Sequence, residues 1–285
     1  MSGNGRPDIE AYLKQALELG EEGRWDEMAR LLGDALEEAE DDPYILCWLG
    51  VAEGELGNDG AAYEAFRRCV DQDPSDPHVL ALAGSGLAQF DDPDAETALR
   101  AAALSAPELP LARLNYGAFL ARSGMHDEAL EQLAAARDLT PDDPVVRAEL
   151  GAAHVLRGEP EDGLPELEQA LALAPEDSWT RVLYGLVLLE ADRQEEGAEE
   201  LVRAAQEREY DAEATILGAL ASAAQGWDDA AEELLARAEF VAQGADIKMI
   251  EEAESAIRSG PEAAGRWLRT TLGPSALRER LQQPL

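Results

Sequence analysis

The chain has 285 residues, of which 46% are hydrophobic, and its 60 acidic against 23 basic residues give a formal net charge of -37. Nucleic acid is therefore an unfavourable partner, because neutralising phosphates requires Lys and Arg. No stretch approaches 18 consecutive apolar residues, and the N-terminus has no apolar run behind a basic flank, so we expect a soluble, cytoplasmic protein without membrane insertion.

A small residue recurs every 33 or 34 residues from one end of the chain almost to the other. The first series is Ala16, Gly50, Gly84, Gly117, Gly151, Gly185 and Gly218. The second, 11 or 12 residues further on, is Met28, Ala62, Ala95, Ala129, Gly163, Gly197 and Ala230. Glycine inside a helix costs on the order of 1 kcal/mol relative to alanine. Its recurrence at one offset therefore predicts two helices per repeat whose backbones approach too closely for larger side chains.

Prolines mark the boundaries of these helix pairs. Pro74, Pro107, Pro141 and Pro175 end repeats, because proline removes a helical donor and restricts the residue before it. An aspartate followed by proline, as in Asp42-Pro43 and Asp143-Pro144, is typical of an N-cap followed by the first helical residue. We predict seven helix pairs at about 9–42, 43–76, 77–109, 110–143, 144–177, 178–210 and 211–245.

This 34-residue helix-turn-helix period closely resembles the tetratricopeptide repeat family. The resemblance covers about 235 residues and implies an all-α, right-handed superhelical α-solenoid of about seven helix pairs. The chain departs from the family at the fourth position of each repeat, where Arg113, Arg147 and Arg181 replace a large apolar residue. We expect their stems to lie along the repeat junctions. Repeat three is irregular around Asp91-Asp92-Pro93-Asp94, which indicates either a hinge or a harmless loop variant.

The segments outside the array have different patterns. Residues 1–8 carry no helical pattern and are predicted to be disordered. Past Asp246 the 34-residue register is lost, but apolar residues continue at helical spacing, and Gly260-Pro261 and Gly273-Pro274 restart helices. We predict that residues 246–285 form capping helices, which an array needs to cover its last apolar face.

No catalytic or metal-binding pattern is found in the sequence. The three histidines, His78, His126 and His154, fall at different repeat offsets, so no two share a helix face as a zinc pair would. Cys47 and Cys69 lie on apolar helix faces, which favours buried thiols over a metal site or a disulfide. The acidic clusters match no calcium loop. We therefore expect no cofactor, no metal and no enzymatic activity.

The resemblance implies a concave groove lined by the first helices, which would bind a protein or peptide. Carried over position by position, the peptide-binding set is Tyr44, Val51, His78, Gln89, Leu111, Leu114, Asn115, Arg122, Val145, Trp179, Val182, Leu186 and Glu190. The wider set of groove positions also includes Leu17 of the first repeat. The large apolar members are expected to contribute most of the binding energy, and Asn115 and Arg122 to fix the register. The alternative is that these side chains pack between neighbouring first helices and are not available to a ligand.

The sequence leaves the partner and the assembly state open. A non-enzymatic interaction scaffold or adaptor is the favoured function. The alternatives are a recognition subunit of a multi-chain enzyme and a self-assembling structural array. The acidity has two explanations as well. It attracts a partner with basic flanks by electrostatic steering, or it reflects a salty cytoplasm. The C-terminal part differs from the rest: residues 1–245 hold 54 acids and 17 bases, whereas residues 246–285 hold six of each.

Overall fold

A computed structural model describes residues 9–208, 210–241 and 246–282. Within these ranges α-helices and one π-helical turn are the only regular secondary structure. The predicted disordered segment 1–8 lies outside the described residues, as do the ends of the last predicted repeat and of the predicted cap.

Fourteen helices form seven consecutive pairs. Their bounds are α1 Ile9–Glu21, α2 Trp25–Glu38, α3 Pro43–Glu55, α4 Asp59–Asp71, α5 Pro77–Ala88, α6 Ala95–Ser105, α7 Pro110–Arg122, α8 His126–Leu139, α9 Pro144–Arg157, α10 Pro160–Leu173, α11 Ser178–Glu190, α12 Gln194–Glu207, α13 Ala212–Gln225 and α14 Asp228–Val241. Three further helices follow: α15 Asp246–Arg258, α16 Pro261–Trp267 and, after a π-helical turn at Leu268–Leu272, α17 Gly273–Gln282. This is the all-α architecture of helix pairs that the repeat period predicts.

Aspartate caps explain where the first helices begin. The Asp42 carboxylate accepts hydrogen bonds from the backbone N–H groups of Tyr44 at 3.0 Å and Ile45 at 3.2 Å. Asp76 and Asp143 cap α5 and α9 in the same way, and each is followed by proline at the first helical position. The caps satisfy backbone donors that have no partner inside the helix.

Gly151 and Gly163, one from each small-residue series, lie where α9 and α10 meet. A Cβ atom added to Gly163 would lie 2.7 Å from the backbone oxygen of Gly151, and one added to Gly151 would lie 2.7 Å from Leu167 Cγ. Real Cβ atoms essentially never approach other atoms so closely. The close backbone approach predicted from the spacing is thereby confirmed for this pair.

The chain divides into two compact units, one up to Leu120 and the other from Ala121 onward. In the N-terminal unit, one core lies between α1, α2 and α3 around Leu32, and the next lies between α3, α4 and α5 around Phe66. In the C-terminal unit, α9 to α11 enclose Leu167 and Leu183, and α11 to α14 enclose Leu201. Each core is shared by neighbouring repeats, which is how a repeat array buries faces that a single pair leaves open.

The fourth-position arginines occupy the repeat junctions, as expected. Each guanidinium donates to the backbone carbonyl of the proline six residues earlier, in the pairs Arg113 with Pro107, Arg147 with Pro141 and Arg181 with Pro175. Arg181 also donates to Glu207 at 2.9 Å and to Glu200 at 3.0 Å, and it is buried. The arginine thus links the end of one repeat to both helices of the next.

Repeat three has the shortest helix pair of the seven. Its helices α5 and α6 contain 12 and 11 residues, whereas the others contain 13 or 14. Asp91 in the turn between them adopts a positive φ of 54°. A hinge at this turn stays a prediction.

Candidate functional site: the faces of the first helices

In the N-terminal unit the first helices of successive repeats lie side by side. Helix α3 contacts both α1 and α5. The Asn115 side chain on α7 donates to the Ala81 carbonyl on α5 at 3.1 Å. We use the name N-terminal face for the groove positions Leu17, Tyr44, His78 and Gln89, which the family resemblance places on one side of these helices. All four side chains are exposed, and Leu17 and Tyr44 are 41% and 40% exposed.

A polar group sits at the centre of the N-terminal face. The Tyr44 hydroxyl donates to Asp76 at 3.0 Å, and His78 Nδ1 lies 3.6 Å from the same carboxylate. Burial of Asp76 opposes ionisation. Hydrogen bonds from the His78 backbone N–H and from Tyr44 outweigh it, and they hold the pKa of the carboxyl below its ordinary value. An ionised carboxylate therefore lies beside an exposed aromatic ring.

Other members of the predicted set border the N-terminal face. Val51, Leu111 and Leu114 are half-buried, and Leu111 packs against Ala81 and Ala112. Asn115 uses its side-chain donor on the Ala81 carbonyl, as described above. Both the apolar and the polar members thus also hold neighbouring repeats together.

Arg122 belongs to the C-terminal unit. It donates to Glu149 at 2.7 Å, and that glutamate is buried. A role for Arg122 in fixing the register of a ligand stays a prediction.

The same positions have different surroundings further along the chain. Val182 and Leu186 on α11 are 0% and 2% exposed, and they share a core with Leu268 and Leu272 of the C-terminal helices. We call the side of α9, α11 and α13 that these helices cover the C-terminal face. Val145 and Glu190 are exposed, whereas Trp179 is half-buried beside two arginines. Tyr44, His78 and Gln89 are thus exposed on the N-terminal face, whereas Val182 and Leu186 are covered on the C-terminal face.

One side-chain cluster was not foreseen from the sequence. His154, Glu159 and Asp162 bring three potential ligand atoms within 4.8 Å of one another. No spacing in the sequence indicates this cluster, because Glu159 and Asp162 approach His154 only where the chain turns from α9 into α10. The Arg157 guanidinium lies 3.4 Å from Glu159 and already supplies a positive charge there. The cluster therefore receives no assignment.

The consecutive helix pairs define a class of protein, an α-helical repeat array. No helix among the described residues is long and apolar enough to cross a membrane. Residues 13–77 and 87–144 match the family model of the tetratricopeptide repeat. The matched stretches are tetratricopeptide repeats, and the fold of consecutive helix pairs is the tetratricopeptide repeat fold, which is typical of protein–protein interaction scaffolds.

Solved structures agree on the fold. TTC0263, a tetratricopeptide repeat protein of Thermus thermophilus, is 27% identical, with 63% of this chain and 98% of that chain covered and a TM-score of 0.52. PilF of Pseudomonas aeruginosa is 20% identical, with 74% and 97% covered and a TM-score of 0.59. The Cut9–Hcn1 hetero-tetramer of APC/C gives 17% identity, 87% and 49% coverage and a TM-score of 0.67. A comparison with curated protein sequences finds no match.

Proposed function

We propose that the chain is a non-enzymatic scaffold that binds a peptide or protein segment along the N-terminal face. The observation that carries this proposal is the exposure of Leu17 and Tyr44 at groove positions of neighbouring first helices. Large contiguous apolar patches usually mark an interaction site, and we infer that Leu17 and Tyr44 belong to such a patch. The hydrogen-bonded Asp76 holds the Tyr44 ring in place, and a fixed aromatic ring is a common anchor of binding energy.

Charge defines the chemistry of the partner. Residues 9–120 hold 24 acidic and seven basic side chains. One of these acidic side chains, Asp76, lies on the N-terminal face itself as an ionised carboxylate. We infer that the partner is an extended or helical segment with apolar side chains at regular spacing and with Lys or Arg on its flanks. The acidic surface then steers the partner toward the face.

The test uses the full chain and a defined probe. Peptides are selected on the immobilised protein from a random 12-residue library, and the binding of one labelled peptide is measured by fluorescence anisotropy. Leu17→Asp and Tyr44→Asp are each expected to weaken binding roughly tenfold or more. Leu104→Asp is the matched control, because Leu104 is 76% exposed on α6, a second helix.

Two results would contradict the proposal. If Leu17→Asp and Tyr44→Asp both leave the peptide affinity unchanged, the binding site does not lie on the N-terminal face. If Leu104→Asp weakens peptide binding as much as they do, the loss is a general effect of added negative charge. Salt provides a separate measurement of the steering. The association rate of a peptide with basic flanks should fall as salt rises, because the Debye length shortens to about 8 Å at physiological ionic strength. An association rate that does not respond to salt would favour the other explanation of the acidic composition, adaptation of the protein to a salty cytoplasm.

A further inference from the structure

The C-terminal helices turn back over the first helices of the C-terminal unit. Helix α15 packs on α13 and α14, α16 and the π-helical turn pack on α13, and α17 packs on α11. At the far end of α17, Leu281 joins the core that contains Ala148 and Ala152 of α9. Helix α17 therefore lies across the face whose counterpart in the N-terminal unit is exposed.

One stripe of α17 faces the array. Its members are buried or half-buried and recur at the spacing of one helix face: Gly273, Ala276, Leu277, Arg280 and Leu281. The neighbouring Arg278 and Glu279 are exposed. Anchors at such spacing are how an amphipathic helix binds in a groove. The chain thus shows what kind of segment the C-terminal face accepts.

An arginine lies at the centre of this contact. Arg280 is 2% exposed, its Nη1 atom lies 2.6 Å from Glu213 Oε2, and its Cζ atom lies 4.7 Å from the centroid of the Trp179 ring. We call Trp179 and Glu213 the arginine seat. A buried guanidinium needs a counter-charge, and an aromatic face adds a cation–π attraction. The seat therefore selects arginine at one position of the bound helix.

The fit of α17 in the seat is incomplete. Trp179 Nε1 and Arg280 Nε are buried and meet no acceptor among the described residues. A cleft of about 190 Å³ lies between α11 and the start of α17, lined by Leu186, Glu190 and Pro274 among others. A buried donor without an acceptor weakens the contact that contains it. A helix that offers an acceptor there would bind the face more tightly than α17 does.

The chain also has a joint on which α17 can move. The π-helical turn at Leu268–Leu272 interrupts the α-helical hydrogen bonding between α16 and α17. Pro274 follows at once and has no N–H group to donate to the preceding turn. Such irregularities are common at sites where helices bend. The link between α16 and α17 is therefore a place where the C-terminal segment can bend.

We propose that the C-terminal face is a second binding site, and that its ligand is an amphipathic partner helix with the pattern Leu-x-x-Arg-Leu that α17 shows at residues 277–281. Helix α17 is the resident occupant and leaves the face when the partner helix binds. The arginine of the partner enters the arginine seat, and its two leucines replace Leu277 and Leu281. This site is distinct from the N-terminal face, so Tyr44→Asp leaves it unchanged.

The first test uses a labelled peptide of residues 271–282 and the full chain. The double variant Leu277→Asp, Leu281→Asp releases α17. The peptide should bind this variant roughly tenfold or more tightly than it binds the wild-type chain, in a 1:1 complex. Arg280→Ala in the peptide should remove most of that binding. Arg278→Ala removes the same charge from the exposed side of the helix and should change little.

Several results would overturn the proposal. The first is that the peptide does not bind the double variant although circular dichroism shows that this variant is still helical. Equal losses with the Arg278 and Arg280 peptides would show that charge alone acts. If the wild-type chain forms dimers and the double variant does not, the occupant of the face is α17 of a second copy of the chain.

A second measurement covers the case in which the double variant does not fold. Glu213→Gln weakens the arginine seat and leaves every apolar contact in place. Limited trypsin digestion should then cut after Arg278 and Arg280 several-fold faster than in the wild-type chain. Glu232→Gln makes the same change at an exposed position of α14, away from both cleavage sites, and should leave the rate unchanged. Equal cleavage of the two variants would contradict a role for the seat.

Discussion

Gly163→Ala tests whether the repeat glycines are required by backbone contact. Gly163 on α10 faces Gly151 on α9, and an added methyl group would lie 2.7 Å from the Gly151 backbone oxygen and 3.1 Å from Val155 Cγ2. A backbone oxygen cannot turn aside as the end of a flexible side chain can. The two helices must move apart, and the core shared by α9, α10 and α11 must move with them.

Two opposing effects set the size of the change. Alanine is favoured over glycine inside a helix by about 1 kcal/mol. Overpacking of a filled core costs about 1–3 kcal/mol, and a contact with rigid backbone belongs near the upper end of that range. We therefore expect Gly163→Ala to lower the free energy of unfolding by about 1–2 kcal/mol.

The control is Gly33→Ala in α2, where an added methyl group would meet no atom within 4 Å. Only the preference of helices for alanine over glycine acts there, so Gly33→Ala should be more stable than the wild type by about 0.5–1 kcal/mol. Urea denaturation followed by circular dichroism measures both variants. If Gly163→Ala were as stable as Gly33→Ala, the close approach of α9 and α10 would not explain the glycine.

The remaining predictions concern the buried arginine and the thiols. Arg181→Met should lower the free energy of unfolding by about 2–3 kcal/mol, because it leaves Glu200 and Glu207 without their shared cation. The control is Arg203→Met, which removes an arginine that is 54% exposed and pairs with the same Glu200, and it should cost less than about 1 kcal/mol. Equal losses in the two variants would contradict this reasoning. Cys47 and Cys69 are buried, and the Cys69 thiol and burial raise the pKa of the Cys47 thiol well above its ordinary value. Both thiols should react with Ellman's reagent at pH 8 only in denaturant; fast labelling of the native protein would place them on an accessible surface.

The period of the sequence predicts the helix pairs because their packing is local. Each repeat contacts its neighbours, so a small residue at one offset is required wherever two helices cross. The same locality explains what the period could not predict. Tyr44 and Trp179 hold equivalent repeat positions, yet one is exposed on an open face and the other lies beneath Arg280. The difference comes from α17, which is distant in sequence.

A signal for the docking of α17 is nevertheless present in the sequence. Leu277, Arg280 and Leu281 place an arginine between two leucines on one helix face, where a solvated helix would carry a polar stripe. What the sequence lacks is the position at which that face docks. Beyond residue 245 the repeat register ends, and no period relates α17 to α9 or α11. Only the three-dimensional contacts pair Arg280 with Glu213 and Trp179.

The charge imbalance and the arginine content have a common physical explanation. With a net charge of -37, the acidic side chains of the array repel one another, and this repulsion acts most strongly between neighbouring repeats. Arginines bridge such neighbours: Arg68 reaches Asp41, Arg67 reaches Asp92, and Arg137 reaches Glu166. The forked guanidinium can bind a carboxylate and a carbonyl at once, which the single ammonium of lysine does less well. Lysine occurs only at positions 14 and 248, where each side chain is exposed and pairs within its own helix. Arginine at the junctions therefore allows the surface to stay acidic while neighbouring repeats remain in contact.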